Sequence, residues 1–191
     1  MVVLASASPR RIEILRNHGI KAAAVPADVD EYASDEAPPR VLCMYNALKK
    51  ALYVSPQYPD DIVIGADTAV VPCGRVLGKP MDKDDAFRML SELRDSTHSV
   101  YTGVAIVRAS AQKAVKRVFY ECTDVTFGYY SDSDIVGYVD SGEPMDKAGS
   151  YGIQGSWASN VTRVEGDIEN VIGLPWKRLE RELIEADLSR Q

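Results

Sequence analysis

The sequence predicts an α/β fold, because short apolar strand patterns alternate with amphipathic helix patterns along the chain. The first unit shows this alternation, with a buried strand at Val2–Ala5 and then a helix that begins at Pro9 and ends near His18. Ser8 is well suited to cap that helix. The chain is 46% hydrophobic and 26% charged, as an ordinary globular domain is, and its 191 residues suffice for a sizeable core. We therefore predict a single domain over residues 1–191.

The elements that follow keep the same alternation. Residues 26–40 are predicted as a loop, and a helix over Pro39–Tyr53 carries an apolar stripe of the kind that faces a core. The stripe of this helix consists of Val41, Tyr45, Leu48 and Leu52. A short strand at Ile62–Gly65 is predicted to end in a polar turn before extended structure resumes at Ala69–Val71. The later elements are a helix over Asp82–Leu93, a hairpin of Ser99–Val107 and Val115–Phe127, a helix over Ser131–Val139, a glycine-rich stretch at 142–155, a strand at Val161–Val164 and a helix from Pro175.

Charge and cysteine content exclude several classes of protein. The formal net charge of -6 argues against a nucleic-acid polymer as partner, since such proteins carry a basic surface, whereas a few local cations could still bind a small anion. The chain has 3 cysteines, widely spaced and without a CxxC pair, which argues against a disulfide framework or a zinc site. No secretory signal and no apolar run of membrane-spanning length is visible. We expect a cytoplasmic protein with no membrane partner.

The segment from Ser6 to Arg11 is the first candidate for phosphate binding. It joins a strand to the start of a helix, where free backbone N–H groups and the helix dipole favour an anion. The positive charges of Arg10 and Arg11 interact unfavourably with the positive end of that dipole. A bound phosphate would offset this unfavourable interaction through bidentate contacts with the two guanidiniums. Two solvated surface arginines would give the same pattern.

Acidic groups and lysines form a second set of candidates. Asp28, Asp30 and Glu31 cluster in the first loop, where they could bring Mg²⁺ to a phosphate or could simply be solvated. Asp67 follows the predicted Ile62–Gly65 strand, and in α/β sheets ligands bind at that edge. A partly buried carboxylate there needs a metal or a lysine beside it, although a polar turn at the strand end remains the alternative. Helical geometry leaves open whether Lys49 or Lys50 fills that role.

Two further candidates lie in glycine-containing loops. Lys79 stands in a tight loop before a helix, and Gln154 ends a glycine-rich stretch in which the backbone can approach a ligand closely and the side-chain amide can contact a base edge. His18 and His98 match no catalytic motif and are interpreted as structural or surface residues. No serine nucleophile elbow or cysteine-protease signature is present.

Taken together, these segments resemble the Maf family of nucleotide pyrophosphatases over nearly the full chain. The resemblance rests on the order and separation of the motifs, and any one of them alone could arise by chance. The motifs are Leu4-Ala5-Ser6-Ala7-Ser8-Pro9-Arg10-Arg11, Asp30-Glu31, Ala47-Leu48-Lys49-Lys50-Ala51, Gly65-Ala66-Asp67-Thr68, Gly78-Lys79-Pro80, His98-Ser99-Val100-Tyr101-Thr102-Gly103, Glu143-Pro144-Met145-Asp146-Lys147-Ala148-Gly149 with Gln154-Gly155, and Asn170-Val171-Ile172-Gly173-Leu174-Pro175.

The resemblance implies an elongated mixed β-sheet flanked by helices, with two lobes around a central cleft, as in inosine triphosphate pyrophosphatases. It implies the reaction NTP + H₂O → NMP + pyrophosphate, a divalent metal cofactor (Mg²⁺ or Mn²⁺) and a homodimer. The motif from His98 to Gly103 looks like the branch that acts on dTTP, UTP and modified pyrimidine nucleotides. One departure is Ile168-Glu169, where the family often has two tyrosines.

The resemblance also implies roles for individual residues. Asp67 matches the family's proton acceptor, and Glu31 and Asp67 are expected to lie near the metal. The lysine choice falls on Lys50, because it directly precedes the motif's alanine. The other matching positions are Arg10, Thr68 and Gln154 for specificity, and Ser6, Arg11 and Lys79 for the pocket. The rival from another class is a nucleotide-binding regulator of cell division with little catalysis.

Overall fold

A mixed β-sheet forms the centre of the protein in a computed structural model, which describes residues 1–34, 36–110 and 114–188. Six strands are found in this part of the chain, in the order β2-β1-β3-β4-β5-β6. They are β1 (Val2–Leu4), β2 (Ala22–Ala24), β3 (Ile62–Val71), β4 (Thr97–Arg108), β5 (Val115–Phe127) and β6 (Val161–Glu165). β1 pairs in parallel with both β2 and β3, and every later pairing is antiparallel.

Helices connect the strands and cover the sheet. They are α1 (Pro9–Asn17), α2 (Pro39–Val54), α3 (Lys83–Leu93), α4 (Asp132–Asp140), α5 (Ile168–Ile172) and α6 (Trp176–Leu188), with 3₁₀ turns at Ser55–Gln57, Glu143–Asp146, Ala148–Ser150 and Ser156–Asn160. The α/β class is thus confirmed, whereas β2 and α5 were not predicted. β2 consists of three alanines, a residue depleted in strands, so its sequence carried no strand signal. No helix in the described ranges is both long and apolar enough to cross a membrane.

β3 is one continuous strand, and the predicted break at Asp67 is wrong. β4 pairs with β3 from Val63 to Val71 and supplies backbone partners throughout. The parallel partner β1 ends earlier, with Leu4 opposite Ile64. Asp67 therefore lies in the middle of β3, just beyond the carboxyl end of β1, where one edge of β3 is no longer covered by a strand.

Alternate residues of the central strands enter different cores, because side chains along a strand point to opposite faces. Val3 and Val63 pack in a cluster with Ala47, Ala51 and Val54 of α2. On the other face, Leu4, Ile64 and Ile106 pack with residues of α1 and α6, namely Ile14, Leu15, Trp176 and Leu179. Helices therefore cover both faces, as expected.

A separate cluster lies at the far end of the sheet, where Val70, Val100 and Phe127 pack with residues of α3 and α4. His98 is buried beside this cluster, and its Nε2 lies 2.8 Å from the Tyr151 hydroxyl. Burial lowers the pKa of His98 to about 4, so the ring is neutral at pH 7. Its interpretation as a structural residue is consistent with this placement.

α2 approaches the sheet unusually closely, over two glycines. A Cβ atom on Gly65 would lie 2.1 Å from the carbonyl oxygen of Ala47, and one on Gly103 would lie 2.3 Å from the carbonyl carbon of Cys43. The prediction that the stripe faces the core is consequently wrong for Val41, Tyr45 and Leu52, which are exposed, whereas Leu48 packs against the cluster between α2 and the sheet. The small residues of α2 face the sheet instead, because only they allow this separation.

We predict that Gly103→Ala destabilises the protein, because the added methyl group would overlap the backbone of α2. The free energy of unfolding, measured by urea titration, should fall by about 1–3 kcal/mol. Gly137→Ala in the middle of α4 is the matched control, since a Cβ there meets no atom within 4 Å. It should leave stability unchanged or raise it slightly. Equal effects of the two substitutions would contradict the close packing of α2.

Candidate active site

A cleft of about 420 Å³ opens at the point where β1 ends and β3 continues. It collects predicted site residues from distant parts of the sequence, in a volume suited to a small-molecule ligand. The predicted residues that line it are Ser6, Arg10, Arg11, Glu31, Lys50, Asp67, Thr68 and Lys79. The N-terminus of α1 also opens onto this cleft.

Lys50 joins two carboxylates of the cleft, those of Asp67 and Glu31. Its Nζ lies 2.7 Å from Oδ1 of Asp67 and 2.6 Å from Oε1 of Glu31. The side chains of Lys50 and Asp67 are nearly buried, at 11% and 13% exposure, whereas Glu31 is 57% exposed. Burial alone would raise the pKa of Glu31, but the hydrogen bond and charge of Lys50 lower it. Asp67 faces α2 because Gly65, two residues earlier on the same face, contacts that helix.

Arg11 holds the opposite wall of the cleft together. Its Nε donates to the carbonyl of Gly173 at 2.8 Å, and its two terminal nitrogens donate to Oγ of Ser6 at 3.3 Å and Oγ1 of Thr68 at 3.1 Å. Thr68 in turn lies 2.9 Å from the Thr102 hydroxyl on β4. Burial lowers the pKa of Arg11, although the nearby carboxylates oppose that shift. The guanidinium thus ties α1, β3 and the end of α5 into one wall.

Arg10 lies between this cleft and a second, smaller one. Its Nη1 pairs with Oδ2 of Asp146 at 2.9 Å. The second cleft, of about 290 Å³, is lined by Arg10, Tyr151, Gln154 and other residues of the glycine-rich segment, among them Glu143 and Lys147. Gln154 therefore lies in the smaller cleft and not beside the carboxylates of the larger one. Burial alone would raise the pKa of Asp146, and the hydrogen bonds from Lys147 and Arg10 lower it.

The remaining candidates are placed as follows. Lys79 is exposed and lines the larger cleft, in a loop that Gly149 holds through a 2.9 Å hydrogen bond to the carbonyl of Gly78. Lys49 points away from Asp67 and donates to the backbone carbonyl of Asp30 at 2.6 Å. Of the acids in the first loop, Glu31 lines the cleft and Asp28 and Asp30 do not. Lys50, and not Lys49, is therefore the lysine that lies beside Asp67.

Two polar side chains at the site were not singled out from the sequence. Asp146 was quoted as part of a motif but given no role, and it pairs with Arg10. Asn46 is buried and donates to Oδ2 of Asp67 at 3.3 Å. One signal for Asn46 was available, because it lies four residues before Lys50 and so on the same helix face.

Ser8 occupies the cap position of α1 in an extended conformation, but its side chain makes no capping hydrogen bond. The capping prediction is therefore correct in position and wrong in chemistry. The backbone N–H of Ser8 instead donates to Oγ of Ser6 at 3.2 Å. Ser6 accepts from Arg11 as well, so the turn before α1 is fixed by the same guanidinium as the cleft wall.

Cysteine chemistry contributes nothing to this site. Cys43 lies next to it on the buried face of α2, and burial raises the pKa of its thiol to about 12, with a further contribution from the charge of Asp67. A thiol with such a pKa is protonated at pH 7 and is a poor nucleophile. The cleft offers carboxylates, two ammoniums and two guanidiniums.

Sequence comparison adds the family. A family model described as "Maf-like protein" matches residues 1–186. The chain belongs to the Maf-like protein family. The match to the family thus extends over almost the whole chain, including all the motifs named above.

Several relatives in this family carry the same name, dTTP/UTP pyrophosphatase. The one from Bacillus cereus (strain G9842) is 46% identical over 187 residues, covering 98% of this chain and 96% of that protein. The one from Dictyoglomus turgidum is 45% identical, covering 93% and 92%, and the one from Symbiobacterium thermophilum is 48% identical, covering 93% and 89%. Among solved structures, the Ham1 protein of Staphylococcus aureus is 13% identical, with a TM-score of 0.43 over 66% of this chain and 71% of that one.

The departure at Ile168-Glu169 lies outside both clefts. Residues Val171 and Ile172, at the end of α5, line the smaller cleft, whereas Ile168 and Glu169 line neither. Glu169 instead accepts a hydrogen bond through Oε1 from Nε2 of His18 at 2.7 Å, and the His18 ring stacks on Trp176. In this Maf-like protein Glu169 and His18 therefore connect α5 with the end of α1 and with α6.

We predict that Arg11→Lys lowers the free energy of unfolding by about 1–3 kcal/mol, because a lysine cannot replace three divergent hydrogen bonds of a guanidinium. Arg10→Lys is the matched control. It retains the charge beside the exposed Asp146 and should cost less than about 1 kcal/mol. Chemical denaturation of both variants measures the difference. A loss in Arg11→Lys no larger than in Arg10→Lys would contradict the role of Arg11 as a structural tie.

Proposed function

We propose that this Maf-like protein is a nucleoside triphosphate pyrophosphatase that converts dTTP, UTP and modified pyrimidine nucleotides to the monophosphate and pyrophosphate. The observation that carries the proposal is the Lys50 ammonium held between Glu31 and Asp67 in a cleft that also contains Arg10 and Arg11. Phosphoryl-type transfer needs chiefly positioning and charge neutralisation, and this set of groups supplies both. The names of the relatives at 45–48% identity support the same activity.

In the proposed reaction, water attacks the α-phosphorus of the nucleotide and a new P–O bond forms. The bond between the α-phosphorus and the bridging oxygen to the β-phosphate breaks, and pyrophosphate leaves with that electron pair. Asp67 orients the water and accepts its proton. Lys50 and Lys79 balance the charge of the phosphates, and the N-terminus of α1 with Arg11 binds phosphate oxygens. No covalent intermediate with the protein is required.

The carboxylate pair fits a divalent cation that arrives with the nucleotide. Mg²⁺ and Mn²⁺ prefer oxygen ligands, and Mg²⁺ commonly uses one or two carboxylates together with substrate phosphates. Glu31 and Asp67 would provide those carboxylates. No group of three or more His, Cys, Asp or Glu with metal-binding geometry occurs among the residues that the structure describes. When bound, the cation would polarise the α-phosphate and offset its charge.

The smaller cleft is proposed to bind the base. Gln154 offers a carbonyl oxygen and an amide on one side chain, which is the complement of the N3–H and O4 edge of uracil or thymine. Arg10 lines both clefts and would contact the nucleotide where its base portion meets its phosphates. Thr68 would fix the position of Arg11 beneath the phosphates.

We further propose that the protein is a cytoplasmic homodimer. All three cysteines are free, which supports a reducing compartment and can be checked by cell fractionation.

The exposed stripe of α2, with Val41, Tyr45 and Leu52 spaced as on a helix-packing seam, supports a second copy as its partner. Light scattering should give a dimer for the wild-type protein and a monomer for Tyr45→Glu/Leu52→Glu. A wild-type monomer would refute the dimer.

We predict that Asp67→Asn abolishes most turnover while the protein stays folded, because the amide cannot accept the proton from water. The measurement is a nucleotide panel with Mg²⁺ or Mn²⁺, scored separately for pyrophosphate and orthophosphate. The wild-type enzyme should release pyrophosphate from UTP or dTTP, and the variant should lose on the order of 10²–10⁴-fold in kcat.

Asp140→Asn is the control for that experiment, since Asp140 is an exposed residue of α4 that pairs with Lys83 and lines neither cleft. It should behave as wild type. Near-normal kcat in Asp67→Asn would exclude Asp67 as the proton acceptor. Tight UTP binding without any turnover would support the nucleotide-binding regulator, and orthophosphate as the only product would indicate a phosphatase.

A further inference from the structure

Asn46 is a polar residue on the buried face of α2, at 5% exposure. The other buried residues of that helix are apolar or small: Leu42, Cys43, Ala47, Ala51 and Val54. A buried amide costs free energy unless its hydrogen bonds are made, so its partners show what it does in the fold.

The side-chain amide of Asn46 forms two hydrogen bonds with the backbone of one residue. Its Oδ1 accepts from the N–H of Tyr32 at 2.8 Å, and its Nδ2 donates to the carbonyl of Tyr32 at 3.0 Å. The same Nδ2 donates to Oδ2 of Asp67 at 3.3 Å. One side chain therefore contacts both the proposed proton acceptor and the residue that follows Glu31.

This connection matters because Glu31 lies in a segment without regular secondary structure, between β2 and α2. α2 fastens that segment on either side of Glu31: Lys49 binds the carbonyl of Asp30, and Asn46 binds Tyr32. Of these two anchors, only Asn46 also contacts Asp67.

The two oxygens of Asp67 have different partners as a result. Oδ1 accepts from Lys50, and Oδ2 accepts from Asn46. Two donors on one helix, one turn apart, fix the plane of the carboxylate, whereas Lys50 alone would leave it free to rotate about its bond to Cβ.

We propose that Asn46 is a positioning residue that sets the orientation of the Asp67 carboxylate and its separation from Glu31. The inference rests on the proposed pyrophosphatase function, in which those two carboxylates act together. Misplacing a reacting group by about 1 Å can cost about 100-fold in rate, so a side chain that never touches substrate can still control turnover.

Two substitutions separate the contacts of Asn46. Asn46→Leu has a similar volume and loses both the Tyr32 and the Asp67 contacts. Asn46→Asp keeps an oxygen that can accept from the Tyr32 N–H, but it places a second carboxylate against that of Asp67, and the two negative charges repel each other. Lys49→Met is the matched control, because it removes the other anchor of the segment without touching Asp67.

The experiment measures kcat and KM for UTP with Mg²⁺, together with amide hydrogen exchange at Tyr32. Asn46→Leu should lower kcat by about 10- to 100-fold and accelerate exchange at Tyr32. Asn46→Asp should lower kcat as much or more, with slower exchange than in Asn46→Leu. Lys49→Met should keep kcat close to wild type. Should Asn46→Leu fail to fold, the comparison of Asn46→Asp with Lys49→Met decides.

A purely structural role for Asn46 would give near-wild-type kcat in Asn46→Asp, and this result would overturn the inference. An equal loss of kcat in Lys49→Met would also overturn it, because anchoring of the segment would then be sufficient. If the wild-type protein releases no pyrophosphate, the proposed function fails instead. The inference would then be judged by UTP affinity, which it predicts to weaken in both Asn46 variants and not in Lys49→Met.

Discussion

The contact of α2 with the sheet over Gly65 and Gly103 is the constraint on which the acidic side of the cleft depends. With no Cβ at either position, the helix backbone lies directly on β3 and β4. Asn46 and Lys50, one turn apart on the buried face, are thereby brought within hydrogen-bonding distance of Asp67. A larger residue at either glycine would lift the helix and separate all of these groups together.

The length of β3 divides the cleft into two walls with different chemistry. Because the strand continues past the end of β1, neighbouring residues of β3 point to opposite faces of the sheet at an uncovered edge. Asp67 thus meets the lysine and amide of α2, while Thr68 meets Arg11 and the Thr102 hydroxyl. A short, regular piece of backbone places an acid and a cation network side by side without a specialised loop.

The sequence predicted most helices and strands because each carried its own periodicity or cap. It failed where neighbouring elements decided the outcome. β2 exists because β1 offers it an edge, although three alanines carry no strand signal. The exposed stripe of α2 was assigned to the core because its apolar pattern is strong, but the two sheet glycines favour the small face. The cleft residues were predicted through motifs, whereas the partners of Asn46 depend on tertiary geometry that no local pattern contains.

The charges of the larger cleft nearly cancel, and this balance bears on how a nucleotide would enter. The cations lining it are Arg10, Arg11, Lys50 and Lys79, and the acids are Glu31, Asp67 and Asp146. Lys50 is shared by two of those acids and Arg10 is paired with the third, so carboxylates already balance part of the positive charge before a triphosphate binds. A nucleotide that arrives with its own divalent cation would be met by the carboxylates as well as by Arg11 and Lys79, which supports the proposal that metal and substrate bind together.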